Sequence, residues 1–369
     1  MTFQELKEFL TKPVGAPKTA SVGASSAGAS KRRSRAPTDV VGVELGSGDP
    51  RGCPAVRLVQ RKGKWIVRAM GFVPSPKGAL PTSWKELDKQ PTWALPSDFA
   101  APAAALAVNS ADQVIRQTTK ESLTEGGKSL VFDAPNSRDG LRFAVEDLGE
   151  ASFVLESGLP EYQVLWLSRL LPEGKRPTAA SVQTAPAAML STLAEQPQFA
   201  ADGGNAAALF VMGQTTYFVG YRGGKPVLFR EFPGVGGILR IREALRVGFG
   251  MEEKMVDEVL DDTLIDPSPI LAPIVNPILR QLELSLDYLK SRLGVGVDKV
   301  FLMGLSSGAR HWSKMCEEML SVKLVAPDLF EGLEVTARFD KGAETLLKRS
   351  HRFMVAYGAA RAAMEEVEA

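Results

Sequence analysis

The stretch from Ala207 to Gly237 carries residues that could hold a phosphate group. It reads AALFVMGQTTYFVGYRGGKPVLFREFPGVGG: an apolar strand, a Gly with two threonines, a second strand, a Gly-Gly turn and a third strand. Backbone N–H groups in such a loop can meet phosphate oxygens. A loop that holds a metal-bound phosphate usually carries a carboxylate at its entrance, and Val211 stands at that place. The stretch therefore predicts the frame of a nucleotide site from which one catalytic group is missing.

A similar unit begins near residue 40. VVGVELGSG is an apolar run that ends in Gly and Ser, and AVRLVQRKGKWIVRAMGFV follows as two strands joined at a Lys-Gly-Lys turn. An internal repeat of this kind indicates two similar domains that face each other. We therefore expect the Gly-hydroxyl loops of the two units to meet at the cleft between the domains.

Other predicted elements would position these loops. Residues 104–175 contain strand candidates and the helix PEYQVLWLSRLL, which predicts a small α+β insertion in which AALAVNSADQVIRQ forms one strand. PIVNPILRQLELSLDYLKSRLG predicts a long amphipathic helix that ends at Gly294. DKVFLMGLSSGARHWSKMCEEML predicts a strand, a Gly-rich turn and a helix, and SHRFMVAYGAARAAME predicts a terminal helix.

The order of these parts resembles the actin-like nucleotide-binding fold, an α/β fold of two lobes built from duplicated RNase H-like domains. GKPVLFREFPGVGG is similar to a passage of the PilM family of type IV pilus assembly proteins, and VAYGAARA is similar to the closing helix of that family. The resemblance covers about residues 38–363. The division that it implies is 1–12 a short amphipathic peptide, 13–37 a flexible linker, 38–103 the first part of lobe 1, 104–185 the insertion subdomain and the return to lobe 1, 186–350 lobe 2, and 351–369 a C-terminal helix on lobe 1.

The resemblance also implies a set of nucleotide-binding positions, which apply only if a nucleotide is bound. They are Glu44, Gly46, Ser47, Gly213, Gln214, Thr215, Thr216, Gly236, Gly304 and Ser306. Glu44 replaces the Asp that orients magnesium in such folds, and its extra methylene suits the strict octahedral geometry of Mg²⁺ poorly. Val211 replaces a second acid, and Leu305 replaces a Gly of the adenosine loop. We therefore expect no catalytic residue, weak or absent binding of ATP and Mg²⁺, and Glu44 as the one metal ligand.

The resemblance implies a protein partner as well. PilM-like proteins are cytoplasmic, and they clasp a short N-terminal cytoplasmic peptide of a bitopic inner-membrane protein in a groove near the insertion subdomain. The chain is thus expected to be a cytoplasmic scaffold of a type IV pilus or type II secretion-like assembly, held at the inner membrane through its partner. A pilus motor ATPase and a second copy of the chain are further candidate partners.

The N-terminal segment has two interpretations. Phe3, Leu6, Phe9 and Leu10 share one face of a helix, which is typical of a peptide that docks in a groove, although a frayed tail has the same pattern. Residues 13–37 are rich in Ala, Ser, Gly and Pro, and this composition predicts a flexible tether.

Composition excludes several classes of protein. The 369 residues are 44% hydrophobic, which is enough for a sizeable core, and the net charge of +1 argues against nucleic acid or a membrane surface as the main partner. Two cysteines and two histidines are too few for a metal site built from them. The chain has no apolar run of about 18 residues and no signal peptide, so we expect a soluble intracellular protein.

The alternative class is an enzyme of the same fold, an ATPase or a sugar kinase. Such an enzyme needs acids in the cleft, and Asp202 and Glu231 are the nearest replacements for the missing one. Ser306 lies between Gly304 and Gly308 as in a hydrolase nucleophile elbow, but no repeated strand–helix units precede it, which argues against a hydrolase.

Overall fold

The computed structural model describes a large part of the chain. The described residues are 37–77, 80–87, 93–119, 140–147, 153–171, 177–193, 204–256, 259, 265–304, 309–327, 329–330, 333–336 and 350–365. The predicted docking peptide and linker, Asp202, Leu305 and Ser306 lie outside them.

The described strands and helices follow one another in this order. The strands are β1 (Asp39–Leu45), β2 (Cys53–Arg61), β3 (Lys64–Val73), β4 (Ala103–Val108), β5 (Val114–Thr119), β6 (Leu141–Asp147), β7 (Phe153–Pro160), β8 (Thr178–Thr184), β9 (Ala206–Val211), β10 (Thr216–Arg222), β11 (Lys225–Phe232), β12 (Lys299–Met303), β13 (Lys323–Val325) and β14 (Glu334–Val335). The helices are α1 (Glu161–Leu170), α2 (Ala185–Leu193), α3 (Ile238–Phe249), α4 (Ser268–Leu293), α5 (Ala309–Leu320) and α6 (Met354–Glu365).

Two sheets repeat one topology. In the first sheet, with order β14-β3-β2-β1-β4-β8, strands β1 to β3 are antiparallel neighbours, β4 is parallel to β1 and β8 is parallel to β4. The second sheet, with order β11-β10-β9-β12-β13, has the same directions. Apart from the edge strand β14, the two orders match strand for strand. The duplication predicted from the two hairpin units is therefore confirmed.

The central strands are apolar because both of their faces are covered. Val41 and Val43 of β1 belong to the apolar cluster that includes α1, whereas Val40 belongs to the cluster that includes α2 and α6. Successive side chains of a strand point to opposite faces, so a strand packed on both sides reads as a continuous apolar run. In the second sheet, α3 and α4 cover one face, and the other face joins the cluster of α2 and α6.

The long helix predicted to end at Gly294 is α4. Gly294 adopts a left-handed conformation with φ 66°, and its N–H donates to the Leu289 carbonyl oxygen. Ile274, Ile278 and Leu282, on the apolar face of this helix, are buried against the second sheet. The prediction of this helix and of its buried face is confirmed.

A small third sheet forms the insertion. Its order is β5-β7-β6, all antiparallel, and α1 follows β7 directly. The prediction of one strand for AALAVNSADQVIRQ is wrong, because this stretch forms β4 in the first sheet and β5 in the third. The Asp112 N–H donates to Ser110 Oγ at 3.1 Å and the Gln113 N–H to the Ser110 carbonyl oxygen at 3.3 Å. These local bonds make a turn that interrupts the strand.

Two elements pack differently from the division by sequence. Helix α2 packs on α6 and on β8, and β14 pairs with β3, so both lie with the first sheet. The sequence-based division placed residues 186–350 in lobe 2. We propose that lobe 1 comprises the first sheet with α2, β14 and α6, and that lobe 2 comprises β9 to β13 with α3, α4 and α5.

Helix α6 lies unusually close to its neighbours. A side chain at Gly42 of β1 would overlap the Ala356 carbonyl of α6, and a side chain at Gly358 of α6 would overlap the Ala188 carbonyl of α2. Glycine at these two positions lets the backbones come into direct contact. Helix α6 is therefore fitted between the first sheet and α2 with no spare room.

Candidate functional site

The first candidate phosphate loop follows β1. Gly46 has φ +77°, and a Cβ there would overlap the Asn109 carbonyl at the end of β4. Ser47 Oγ accepts a hydrogen bond from the Asp49 N–H at 3.3 Å. Glycine is thus required where the chain turns over β4, and the Ser47 hydroxyl takes part in the same turn.

The second candidate loop joins β9 to β10. The Met212 N–H donates to the Thr215 carbonyl oxygen at 2.9 Å, which closes the turn, and the Gln214 side chain is exposed. Thr216 is fully buried, and its hydroxyl donates to the Gly236 carbonyl oxygen at 2.7 Å. The Thr216 hydroxyl therefore ties this loop to the segment before α3.

The N-terminus of α3 is already occupied by protein. A helix N-terminus commonly binds anions because its first N–H groups have no partner within the helix. Here the Ile238 N–H donates to the Met212 carbonyl oxygen at 2.7 Å, and the Leu239 N–H donates to the Gly213 carbonyl oxygen at 3.0 Å. Two N–H groups that could meet a phosphate are thus used by the second loop.

The loops of the two lobes meet, as the repeat predicted. A Cβ on Gly213 would lie 2.8 Å from the Ser47 carbonyl oxygen and 3.1 Å from Asn109 Nδ2. A Cβ on Gly48 would lie 2.5 Å from Leu239 Cδ1, so the Leu239 side chain packs directly on the first loop. The lobes are in contact across the cleft at both places.

A small cavity is left between the loops. Its volume is about 60 Å³, and its wall includes Glu44, Ser47, Val211, Gly213 and Gly304. This volume accommodates a few water molecules. Sites for small molecules usually measure about 300–1,000 Å³. The cavity lined by these described residues is therefore smaller than a typical small-molecule site.

Burial in this cavity favours the neutral form of Glu44. It is 6% exposed, and its pKa is raised from 4.5 to about 8. Desolvation by burial is the main cause, the nearby Asn109 amide opposes it, and the charge of Asp49 raises the pKa further. A protonated carboxyl group is a poor ligand for Mg²⁺ because metal ligands must be deprotonated.

The other charged groups of the cavity wall are paired within the protein. Arg51 donates to both carboxylate oxygens of Asp49 at 2.8 and 2.6 Å, and Arg352 Nη1 lies 3.8 Å from Asp49 Oδ2. Burial acts to raise the pKa of Asp49, but the hydrogen bonds and charge of Arg51, together with Arg352, outweigh it and lower the pKa. Arg242 Nε donates to Glu253 Oε1 at 2.7 Å.

The predicted site residues are only partly brought together. Glu44, Ser47, Gly213 and Gly304 line the cavity. A Cβ on Gly304, where φ is +91°, would overlap the Val211 carbonyl. The loop that begins at Gly304, after β12, therefore lies against the end of β9. The cavity wall does not include Gly46, Gln214, Thr215, Thr216, Gly236 or Glu231.

Sequence reasoning missed several residues of the cavity wall, namely Asp49, Leu239, Arg242 and Arg352. Asp49 lies two positions beyond Ser47, and an acid so near a candidate phosphate loop was a usable signal. The others reach the cavity only through packing of α3 and of the segment before α6. Across the described residues, no three or more His, Cys, Asp or Glu side chains gather where they could hold a metal ion.

A larger groove lies at the opposite end of the first sheet, where β1, β4 and β8 begin. This lobe 1 groove has a volume of about 590 Å³. It is lined by Asp39, Arg57, Trp93, Ala94, Leu95, Ala100, Ala101, Pro102, Leu171 and Pro177. Leu171 directly follows α1, so the C-terminal end of α1 contributes to the groove wall.

The lobe 1 groove has one polar and one apolar part. Arg57 donates to the two carboxylate oxygens of Asp39 at 2.8 and 2.7 Å. Trp93 Nε1 donates to the Pro74 carbonyl oxygen at 2.7 Å, which fixes the indole in the wall that Leu95 and Leu171 also line.

Within the ranges that the structure describes, none of the helices combines the length and the apolar character that crossing a bilayer requires.

Comparison with solved structures identifies proteins whose fold is similar to that of this chain. A chain of the PilM–PilN type IV pilus biogenesis complex is similar with a TM-score of 0.61 and 19% sequence identity, over 88% of this chain and 98% of that chain. A Bacteroides thetaiotaomicron protein of actin-like ATPase fold and unknown function has a TM-score of 0.44 and 10% identity, over 85% and 96% of the two chains. The cytoplasmic domain of EpsL, an inner-membrane component of the type II secretion system of Vibrio cholerae, has a TM-score of 0.35 and 13% identity, over 85% and 93%.

The similarity to the chain of the PilM–PilN complex and the duplicated sheet topology confirm the fold that the sequence predicted. The chain has the actin-like two-lobe fold, and its likeness to the chain of the PilM–PilN complex is confirmed at the level of that fold. No protein-family model matches the sequence, and no curated protein sequence matches it either.

Proposed function

We propose that the chain is a non-catalytic scaffold of a type IV pilus or type II secretion-like assembly, which binds the cytoplasmic tail of an inner-membrane protein. In this proposal the chain works in the cytoplasm and reaches the membrane through that partner. The observation that carries the proposal is the contrast between two spaces: the cleft measures about 60 Å³ and the lobe 1 groove about 590 Å³.

The closed cleft argues against catalysis. Phosphoryl transfer depends on positioning and on charge stabilisation, and Mg²⁺ normally supplies much of the latter. Val211 offers no ligand, burial raises the pKa of Glu44 to about 8 and so disfavours its charged form, and the first N–H groups of α3 are used by the second loop. These features favour weak or lost nucleotide binding over an ATPase or kinase of the same fold.

The lobe 1 groove suits a short, partly apolar peptide. Its volume lies within the usual range for ligand pockets. The half-buried Trp93 and Leu95 offer apolar surface, while Arg57 and Asp39 form a charged pair at its edge. A tail that places one or two large apolar side chains against Trp93 and a polar group near Arg57 would use both parts. The fold likeness to a chain of the PilM–PilN complex supports a partner of this kind. A motor ATPase and a second copy of the chain are further candidate partners in this proposal.

Affinity purification from solubilised membranes of the source cells tests the proposal. The tagged full chain is compared with Ala94→Trp, which fills the groove from an exposed position, and with Ala111→Trp, a control at an exposed turn away from the groove. We expect one membrane-anchored protein to co-purify with the unchanged chain and with Ala111→Trp, and to be lost with Ala94→Trp. Equal recovery by all three proteins, or no such protein with any of them, would contradict the proposed role of the groove.

A further inference from the structure

We infer that residues 2–10 dock in the lobe 1 groove of their own chain and compete there with the tail of the partner. The inference rests on the proposed function, because it assigns a second occupant to the same groove. It makes the scaffold self-inhibited: the partner binds only by displacing the N-terminal segment.

The position where the N-terminal residues join the described structure supports this inference. The described chain starts at Pro37, and Asp39, at the beginning of β1, lines the groove. Residues 11–36 provide 26 positions between Leu10 and this point. A flexible chain of that length and composition spans about 25–30 Å root-mean-square. A groove of about 590 Å³ is only about 10 Å across if roughly spherical, so it lies well within reach of the segment.

The chemistry of the segment fits the groove. Phe3, Leu6, Phe9 and Leu10 give one apolar face, and this is the spacing by which short segments present anchors to an apolar groove. Val14 and Val22 are the largest apolar side chains of residues 11–36. The anchors are therefore confined to residues 2–10, and the half-buried Trp93 and Leu95 offer the surface that can receive them.

Tethering sets the size of the effect. A segment on a short flexible tether has an effective concentration on the order of 1 mM at a site it can reach. If its intrinsic Kd is about a tenth of that concentration, occupancy in cis weakens any competing peptide by about tenfold. Because the tether belongs to the same chain, this competition is independent of protein concentration.

Peptide binding to the full chain tests the inference. The probe is a fluorescein-labelled peptide of residues 1–12, MTFQELKEFLTK, followed by fluorescence anisotropy. The chains compared are the unchanged protein, Leu6→Asp/Phe9→Asp, which removes two anchors, and Gln4→Asp/Thr11→Asp, which adds the same charges to the opposite helix face. We expect the anchor variant to bind the probe about tenfold more tightly than the other two. Adding Ala94→Trp to the anchor variant should abolish binding.

Each contrary result has a defined meaning. Equal affinity of all three chains for the probe would overturn docking in cis, and no binding by any of them would overturn recognition of the segment by the groove. Binding that survives Ala94→Trp would place the segment elsewhere. A dimer that grows with concentration and is lost in the anchor variant would show docking in a second copy, which also contradicts the inference. Loss of the membrane partner with Ala94→Trp, alongside any of these results, would leave the proposed function standing and refute the inference alone.

Discussion

Replacing Glu44 by Gln should change how the stability of the protein depends on pH. The pKa of Glu44 is about 8 in the folded protein against an ordinary value of 4.5, because burial disfavours its charge. Between these values the folded state binds more protons than the unfolded state, so the free energy of unfolding falls as pH rises through the window. Integrating this linkage gives a cost of about 1 kcal/mol at pH 5 and about 5 kcal/mol at pH 9. Gln keeps the shape of Glu44 and removes the proton.

The difference between the two proteins is therefore the quantity to measure. Urea unfolding is followed from pH 5 to pH 9 for the unchanged chain, Glu44→Gln, and Glu334→Gln, a control at an exposed position of β14. We expect the stability of Glu44→Gln relative to the unchanged chain to increase by about 4 kcal/mol across this range. With a slope of about 3 kcal/mol per molar urea, the midpoints separate by about 1 M. Parallel pH profiles for all three proteins would mean that Glu44 is hydrated and ionised, and that the cleft is open to Mg²⁺.

Three further outcomes follow from the cleft. Millimolar Mg-ATP should leave the thermal unfolding midpoint unchanged, whereas a ligand present at a hundred times its Kd would stabilise the chain by about 2.7 kcal/mol; an upward shift that Glu44→Ala abolishes would contradict the closed cleft. Gly304→Ala should lower the free energy of unfolding, measured by urea titration, by about 2–4 kcal/mol because the new Cβ overlaps the Val211 carbonyl. The control Gly63→Ala also has a positive φ, +74°, but its Cβ would lie in open space, so it should lower the free energy of unfolding by only about 1–2 kcal/mol. Thr216→Val should lower it by about 1–2 kcal/mol by removing the bond to Gly236, and an unchanged urea midpoint would refute that role.

Short-range sequence patterns were enough to predict most of the fold. The two hairpin units were predictable because apolar runs, glycine turns and hydroxyls stand next to one another in the sequence, and Gly294 ends α4 by a rule that involves only its neighbours. The break between β4 and β5 was not predicted because the stretch between the two apolar runs, Asn109 to Gln113, has neither Gly nor Pro to mark a turn. Only the hydrogen bonds of Ser110 reveal that the chain turns there.

Whether the cleft of the candidate site is open or closed could not be predicted from local sequence patterns. The residue types of the loops are compatible with either an open or a closed cleft. Closure depends on Leu239 meeting Gly48 and on the Met212 carbonyl accepting from the Ile238 N–H. The first of these contacts joins residues far apart in the chain, and no pattern of spacing in the sequence indicates it. The raised pKa of Glu44 is a further consequence of that packing, and the sequence alone does not reveal it.

The packing of α6 between the first sheet and α2 has a consequence for the order in which the two lobes are completed during translation. Lobe 1 begins with β1, yet its close partner α6 is translated after all the described strands of both sheets. Lobe 2 is continuous from β9 to β13 and can complete itself earlier. The emerging chain therefore carries a first sheet whose face at Gly42 waits for α6, and such exposed apolar surface is prone to aggregation. Lobe 1 would then be the first lobe to be started and the last to be completed. Chaperones would be needed most while that face of the first sheet is uncovered.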